Sequence, residues 1–150
     1  ENDYELWKRE LWKDDNRDED DFKLLVQKVS LEEEQDRSYS FIAEYNGESI
    51  GFVQVFGVLR HPCHSAKIEI VIFESYQQKG LGKKCVQLLE EFCFEELKLK
   101  KLTTAILPDN DISIAMFKSL NYERLFLDPY AFFLKGKPVP HEIYVKLASR

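Results

Sequence analysis

A chain of 150 residues, 44% of them hydrophobic, is long enough for one core and one domain. Its net charge of −6 argues against a nucleic-acid partner and suits a cationic one. No apolar run reaches membrane-spanning length and no signal peptide is visible, so no membrane role is expected and the cytoplasm is the expected compartment.

Glu1 to Val29 is helical in pattern. Leu6, Trp7, Leu11 and Trp12 recur at helical spacing, as do Phe22, Leu24, Leu25 and Val29. Between these groups lies the acidic stretch Asp14 to Asp21, whose last members can cap and charge the start of a second helix. Leu31 to Ser38 is polar and reads as a short helix or loop. Ser40 to Tyr45 and Ser49 to Leu59 read as strands joined by the turn signal Asn46-Gly47. After a loop containing His61, Pro62 and His64 comes a third strand, Lys67 to Phe73. A long helix follows over Leu81 to Leu99, then a strand over Leu102 to Leu107 and a helix over Ile112 to Leu120. Strands over Tyr122 to Leu127 and Glu142 to Leu147 close the order, with Gly136, Pro138 and Pro140 breaking the connection between them. Cys63, Cys85 and Cys93 lack metal-ligand spacing. Cys85 and Cys93 fall within the long amphipathic helix, where free thiols act as small hydrophobes, and an odd count suits a reducing compartment.

The run Gln77-Gln78-Lys79-Gly80-Leu81-Gly82 joins the third strand to the long helix. Its glycines let backbone approach a ligand, and the first amides of the helix have no intrahelical partner. The helix dipole adds partial positive charge at the same place, so the turn is a natural site for a phosphate-bearing ligand. It lacks the third glycine of the dinucleotide fingerprint and the Gly-Lys-Ser/Thr of a Walker A loop.

With Ile68 to Leu89 around it, this run resembles the acetyl-CoA-binding core of the GNAT superfamily of N-acyltransferases. Gln77, Gly80 and Gly82 match the family's Gln/Arg-x-x-Gly-x-Gly/Ala signature. Asn110 to Tyr122 resembles its Asn-x-x-Ala/Ser-x-x-x-Tyr/Phe-x-x-x-Gly-Phe segment, with Asn121 in place of the glycine. The resemblance covers Ser40 to Leu147 well and the N-terminal part loosely. It implies a single α/β (α+β) domain over residues 1–150: a mixed, twisted sheet with helices on both faces, whose fourth and fifth strands splay apart. The family opens with a strand where this chain opens in helical pattern without Met, so that first strand is expected to be missing here, leaving one sheet edge uncovered.

The resemblance also implies chemistry. Amides from Gln77, Gln78, Lys79, Gly80, Leu81, Gly82 and Lys83 would hold the CoA pyrophosphate. Backbone groups of Ile70, Val71 and Ile72 would pair with the pantetheine arm like an added strand. An amine would attack the thioester of acetyl-CoA, the co-substrate, directly, with the amides of that strand as oxyanion donors. Glu69 is the first choice for the general base and Glu74 the second; His61 and His64 have a suitable intrinsic range. Where the family often places an acid tyrosine stands Phe117, which cannot donate a proton, and Tyr122 is the nearby substitute. Asn110 is expected to contact the cofactor arm or to cap its helix. No metal is expected.

The acceptor stays open between branches. The N-terminal text with its acidic stretch resembles aminoglycoside acetyltransferases and suits an aminoglycoside or polyamine. Tyr130 to Leu147 looks more like the branch acting on protein N-termini, polyamines or amino sugars. A non-catalytic acyl-CoA-binding or interaction module is the alternative function, and exposed edge strands near the C-terminus lead to the expectation of a homodimer.

Overall fold

The protein is described by a computed structural model, which describes the backbone of residues 22–26 and all of residues 35–149. The acidic stretch Asp14 to Asp21 and the helical pattern before Phe22 lie outside the described residues. Among the described residues seven strands form one sheet: β1 (Phe22–Val26), β2 (Tyr39–Tyr45), β3 (Glu48–Leu59), β4 (Ser65–Ile72), β5 (Lys101–Ile106), β6 (Glu123–Leu134) and β7 (Lys137–Leu147), in the order β1-β2-β3-β4-β5-β7-β6. Two helices lie between strands, α1 (Leu81–Glu91) and α2 (Asp111–Ser119). Among the described strands only β4 and β5 pair in parallel, so the sheet is mixed, as expected.

The helical reading of Glu1 to Val29 is overturned at Phe22–Val26. This segment is a strand, antiparallel to β2, with Phe22 opposite Tyr45 and Val26 opposite Phe41. Five residues with apolar Phe22, Leu24, Leu25 and Val26 satisfy both periods. The free backbone edge of β2 decides between them, because a strand there gains hydrogen bonds that a helix cannot use. The edge expected to be bare is therefore covered.

The core forms between one face of the sheet and α1. Alternate residues Val53 and Val55 of β3 and Ile68 of β4 point to the same side as Cys85, Leu89 and Phe92, and all are buried. Phe92 meets the ring of Phe41 edge to face at 5.1 Å. Each such side chain contributes about 1.5–3 kcal/mol by leaving water. Burial pushes the Cys85 thiol up to about 12, so it packs as an inert apolar group. After Glu91 the helix widens into one π turn, Phe92–Glu96, and ends at Leu97, two residues short of the expected Leu99. The buried Glu90 carboxylate is neutralised by Lys146 of β7, which ties α1 to the far strand.

The connection between the last two strands differs most from expectation. Pro138 and Pro140 lie inside β7, and β6 runs on to Leu134. The hairpin turns on Lys135 and Gly136, whose φ values of 49° and 77° give the mirror-image turn that suits strand twist. Prolines fit β7 there because β5 ends opposite Glu142, so residues 137–141 have a partner on one side only.

Candidate active site

The site is built on β4. Its first residues pair with β5, Ser65 with Lys101, Ala66 with Leu102 and Lys67 with Thr103, and then the two strands part. From Ile68 onward β4 keeps β3 on one side, with Val53 opposite Ile70 and Gly51 opposite Ile72. Its other edge has no strand partner among the described residues. The Val71 carbonyl lies against Gly51 of β3 and the Ile72 carbonyl accepts from Gln77, so it is the remaining outward backbone along Ile70 to Ile72 that is open to an extended chain.

Gly51 is required for this geometry. A Cβ there would lie 2.0 Å from the Val71 carbonyl oxygen, which no side-chain movement relieves. It also lets Phe73 donate to the Ile50 carbonyl at 2.8 Å, fixing where β4 stops.

The turn after β4 is pinned from several directions. The Gln77 side-chain amide donates back to the Ile72 carbonyl at 2.8 Å. The Tyr76 hydroxyl donates to the Glu48 carboxylate, which raises the phenol above its ordinary value, and Lys79 stands 5.9 Å over the Tyr76 ring. Gln78 and Gly80 both take left-handed backbone, φ 61° and 74°. The two signature glycines act differently. Gly80 needs its conformation and has open space around it. Gly82 is a packing position, where a Cβ would come within 3.2 Å of Met116 Sδ and within 4 Å of Ile70 and Ile72. No side chain caps the start of α1 and no acidic residue stands in its first turn, while Lys83 and Lys84 do. Cations at a helix N-terminus oppose the dipole, so their presence there makes sense beside an anion.

Gly82's neighbours put Ile70 and Ile72 on the α1 face of β4; alternation puts Lys67, Glu69 and Val71 on the other. Glu69 is exposed there, directly across from Gln54 of β3, which in turn is across from Ser40 of β2. Gln54 was missed from sequence, although a lone amide within Ile50 to Phe56 could have flagged it; its Nε2 donates to the Ser38 hydroxyl at 3.2 Å. The sheet thus carries a polar row, Ser40, Gln54 and Glu69, beside the opening.

The remaining candidates lie elsewhere. Tyr122 is buried on the α1 side, edge to face with Phe117 at 4.9 Å, its hydroxyl without a hydrogen-bond partner. Burial, helped by the nearby Glu90 charge, pushes its phenol far above the ordinary value. Glu69 and Tyr122 are therefore on opposite faces of the sheet. Phe117 is buried in the core. Asn110 caps α2, accepting from the Ser113 amide at 3.2 Å. His61 and His64 stand together at the β3–β4 hairpin, rings 5.8 Å apart. At about 3.3 Å per strand residue His64 is about 16 Å along β4 from Glu69. Glu74 is exposed in the single 3-10 turn before the loop. A groove of about 500 Å3 between Gln87, Glu91, Asn121 and Ser149 runs along the flank of α1 and does not include Glu69.

Residues 2–122 match the model of the acetyltransferase (GNAT) family. Spermidine N(1)-acetyltransferase of Escherichia coli strain K12 is 28% identical over 97 residues, which make 65% of this chain and 52% of that protein. The chain thus spans about half the length of the curated relatives it matches. Among solved structures, Mycobacterium smegmatis RimJ in complex with CoA-disulfide superposes with a TM-score of 0.75 at 20% identity, over 78% of this chain and 56% of that one. Spermidine/spermine N-acetyltransferase SpeG from Vibrio cholerae does so with a TM-score of 0.70 at 18% identity, over 79% and 70%. At these identities the structures speak to the fold.

Proposed function

The chain belongs to the GNAT acetyltransferase family, and from that premise we propose that it transfers an acetyl group from acetyl-CoA to a primary amine by direct attack within a ternary complex. The observation that carries this reading is the continuity of an unpartnered strand edge with an uncapped, lysine-flanked helix start. A pantetheine arm and a pyrophosphate need those two surfaces in that order. The turn from Gln77 to Lys83 holds the pyrophosphate and the β4 edge holds the arm, which brings the thioester into the opening between β4 and β5.

Glu69 receives the amine's proton directly or through water, and a β4 amide stabilises the oxyanion. The leaving thiolate takes its proton from water, because Phe117 has none to give and Tyr122 is buried on the other face. Gln54 supports the amine beside Glu69. The acceptor is a cationic amine, with a polyamine first: the net charge of −6, the polar row and the spermidine-acetylating relative all favour it. Amino sugars, aminoglycosides and protein N-termini follow. We place the reaction in the cytoplasm, in keeping with three free thiols. No helix among the described residues is long and apolar enough to cross a membrane.

Mass detection of acetylated product from a panel of amines with acetyl-CoA tests the reading. Product from polyamines supports it in full, and product from another amine class moves the acceptor only. The absence of a proton donor at Phe117 favours a second reading, a non-catalytic acyl-CoA-binding module. It predicts stabilisation by acetyl-CoA, about 2.7 kcal/mol at a hundred times Kd, without product from any amine.

A further inference from the structure

We propose that the face of the sheet around Glu69 selects amines carried on an unbranched alkyl chain, with Phe52 and Lys67 as the residues that set the preference. The inference rests on the acetyl-transfer reading and names the acceptor chemistry of that same site.

Residues paired across neighbouring strands share a face, so the register arranges this surface in rows. The middle row is polar: Ser40 on β2, Gln54 on β3 and Glu69 on β4. Towards the open end of β4 lies an apolar row, Ile42, Phe52 and Val71. Towards the β3–β4 hairpin lies a mixed row, Phe56, Lys67 and Thr103, with Lys67 the last residue of β4 that pairs with β5. Successive rows are two residues, or about 6.6 Å, apart. Phe52 and Lys67 are exposed, and Ile42, Phe56 and Val71 are half-buried beside them.

An amine held at Glu69 sends the rest of its molecule over one of these surfaces. The way to the hairpin passes Lys67, which makes no ion pair among the described residues and repels a second ammonium. The way along the polar row is short of partners. Gln54 already donates through Nε2 to the Ser38 hydroxyl, which leaves its carbonyl oxygen and Ser40. Those are too few for a sugar, whose ring hydroxyls give up water and need replacements for it.

The third way crosses Phe52 and Val71. It offers a run of methylenes no hydrogen bond and needs to offer none, because methylenes gain by leaving water. A second ammonium on such a chain is tolerated only where the chain carries it past this row, since the row holds no carboxylate to receive it. The face therefore measures the spacing from the reacting amine to the next polar group. A short or hydroxylated acceptor puts that group on Phe52.

Steady-state kinetics of the whole chain with saturating acetyl-CoA test this, with acetylated product counted by mass. The acceptors are diaminopropane, putrescine, hexamethylenediamine and glucosamine. Along the diamines kcat/KM should rise about two- to fourfold for each added methylene. Glucosamine should fall about tenfold or more below hexamethylenediamine. Phe52→Ser should flatten the series through KM, and Phe52→Leu, which restores an apolar surface, should keep it. Lys67→Gln should raise kcat/KM for diaminopropane about threefold more than for hexamethylenediamine, as should added salt in the parent. Thermal melts, with and without acetyl-CoA, check that each variant is folded and binds the co-substrate. A flat series in the parent overturns the proposal, as does glucosamine matching hexamethylenediamine or a series that survives Phe52→Ser. Each of these leaves acetyl transfer standing. No product from any acceptor overturns the acetyl-transfer reading and this inference together.

Discussion

The two ends of β4 both have titratable side chains near them and behave differently. At its first end the strand is paired on both sides, and the hairpin before it is clamped: Arg60 grips both oxygens of Asp36 and reaches the carbonyl of Leu97, the residue whose amide closes the π turn on Phe92. At its last end one neighbour has left, and the freed edge runs into the phosphate-binding turn. Each end carries titratable side chains, His61 and His64 at the first and Glu69 and Glu74 towards the second. The difference is in backbone partnership. A polar side chain beside satisfied backbone is an ornament of the surface, whereas the same chemistry beside unpaired amides has something to act on.

If that contrast is right, substitutions at the open end change activity and those at the clamped end change stability. The largest effect is expected from Glu69→Gln, about a hundredfold to ten-thousandfold in turnover with acetyl-CoA affinity unchanged, read by steady-state kinetics beside a binding titration. Turnover that stays level from pH 6 to 9 in the variant and the parent alike would remove Glu69 from the role. Next is Gly51→Val, which meets a backbone oxygen and costs about 3 kcal/mol or more in a thermal or urea melt, the one open-end change that also acts on stability. Lys83→Ala with Lys84→Ala should weaken acetyl-CoA binding about tenfold and slightly stabilise the free protein, since both cations oppose the helix dipole. A variant equally tight in calorimetry would sink the phosphate-turn reading.

The clamp should give the smallest change. The Arg60 hydrogen bond, outweighing partial burial, holds Asp36 below its usual 3.8. A depressed folded pKa stabilises above the unfolded value and is lost as pH falls through the folded one. Asp36→Asn should therefore cost up to about 1 kcal/mol at neutral pH, since water screens so exposed a pair, and nothing at low pH where the parent is protonated. His61→Ala with His64→Ala should leave the pH profile of turnover where it was. A shift would break the contrast by tying the clamped end to the chemistry.

Much of the site was legible in sequence because it depends on local rules. Gly80 was placed in the turn before a helix, where the structure gives it left-handed backbone, and Asn110 by the cap it can provide. Alternation along β4 is a local rule of the same kind, and it puts Glu69 on the face opposite Ile70. Gly82 was read as a place for ligand approach, and that it also lets Met116 come close was not legible, because Met116 is 34 positions away. Pro138 and Pro140 were read as loop breakers, the correct inference for a strand with two neighbours; only β5 ending early makes them compatible with β7.

By itself, the sequence determined what is set over a few residues: the turn at Asn46-Gly47, the glycine-bearing start of α1, the capped start of α2, the apolar periods of the core and, through two motif blocks, the family. Tertiary structure decided what depends on partners far along the chain. It made Phe22–Val26 a strand, since both periods were open and an unpaired edge of β2 settled between them. It separated β4 from β5 after three pairs, took Tyr122 into the core on the face opposite Glu69, and left the apolar arm of β6 in water. Backbone hydrogen bonds and burial are satisfied by whatever surface arrives, and a linear pattern records the need for a partner without its address.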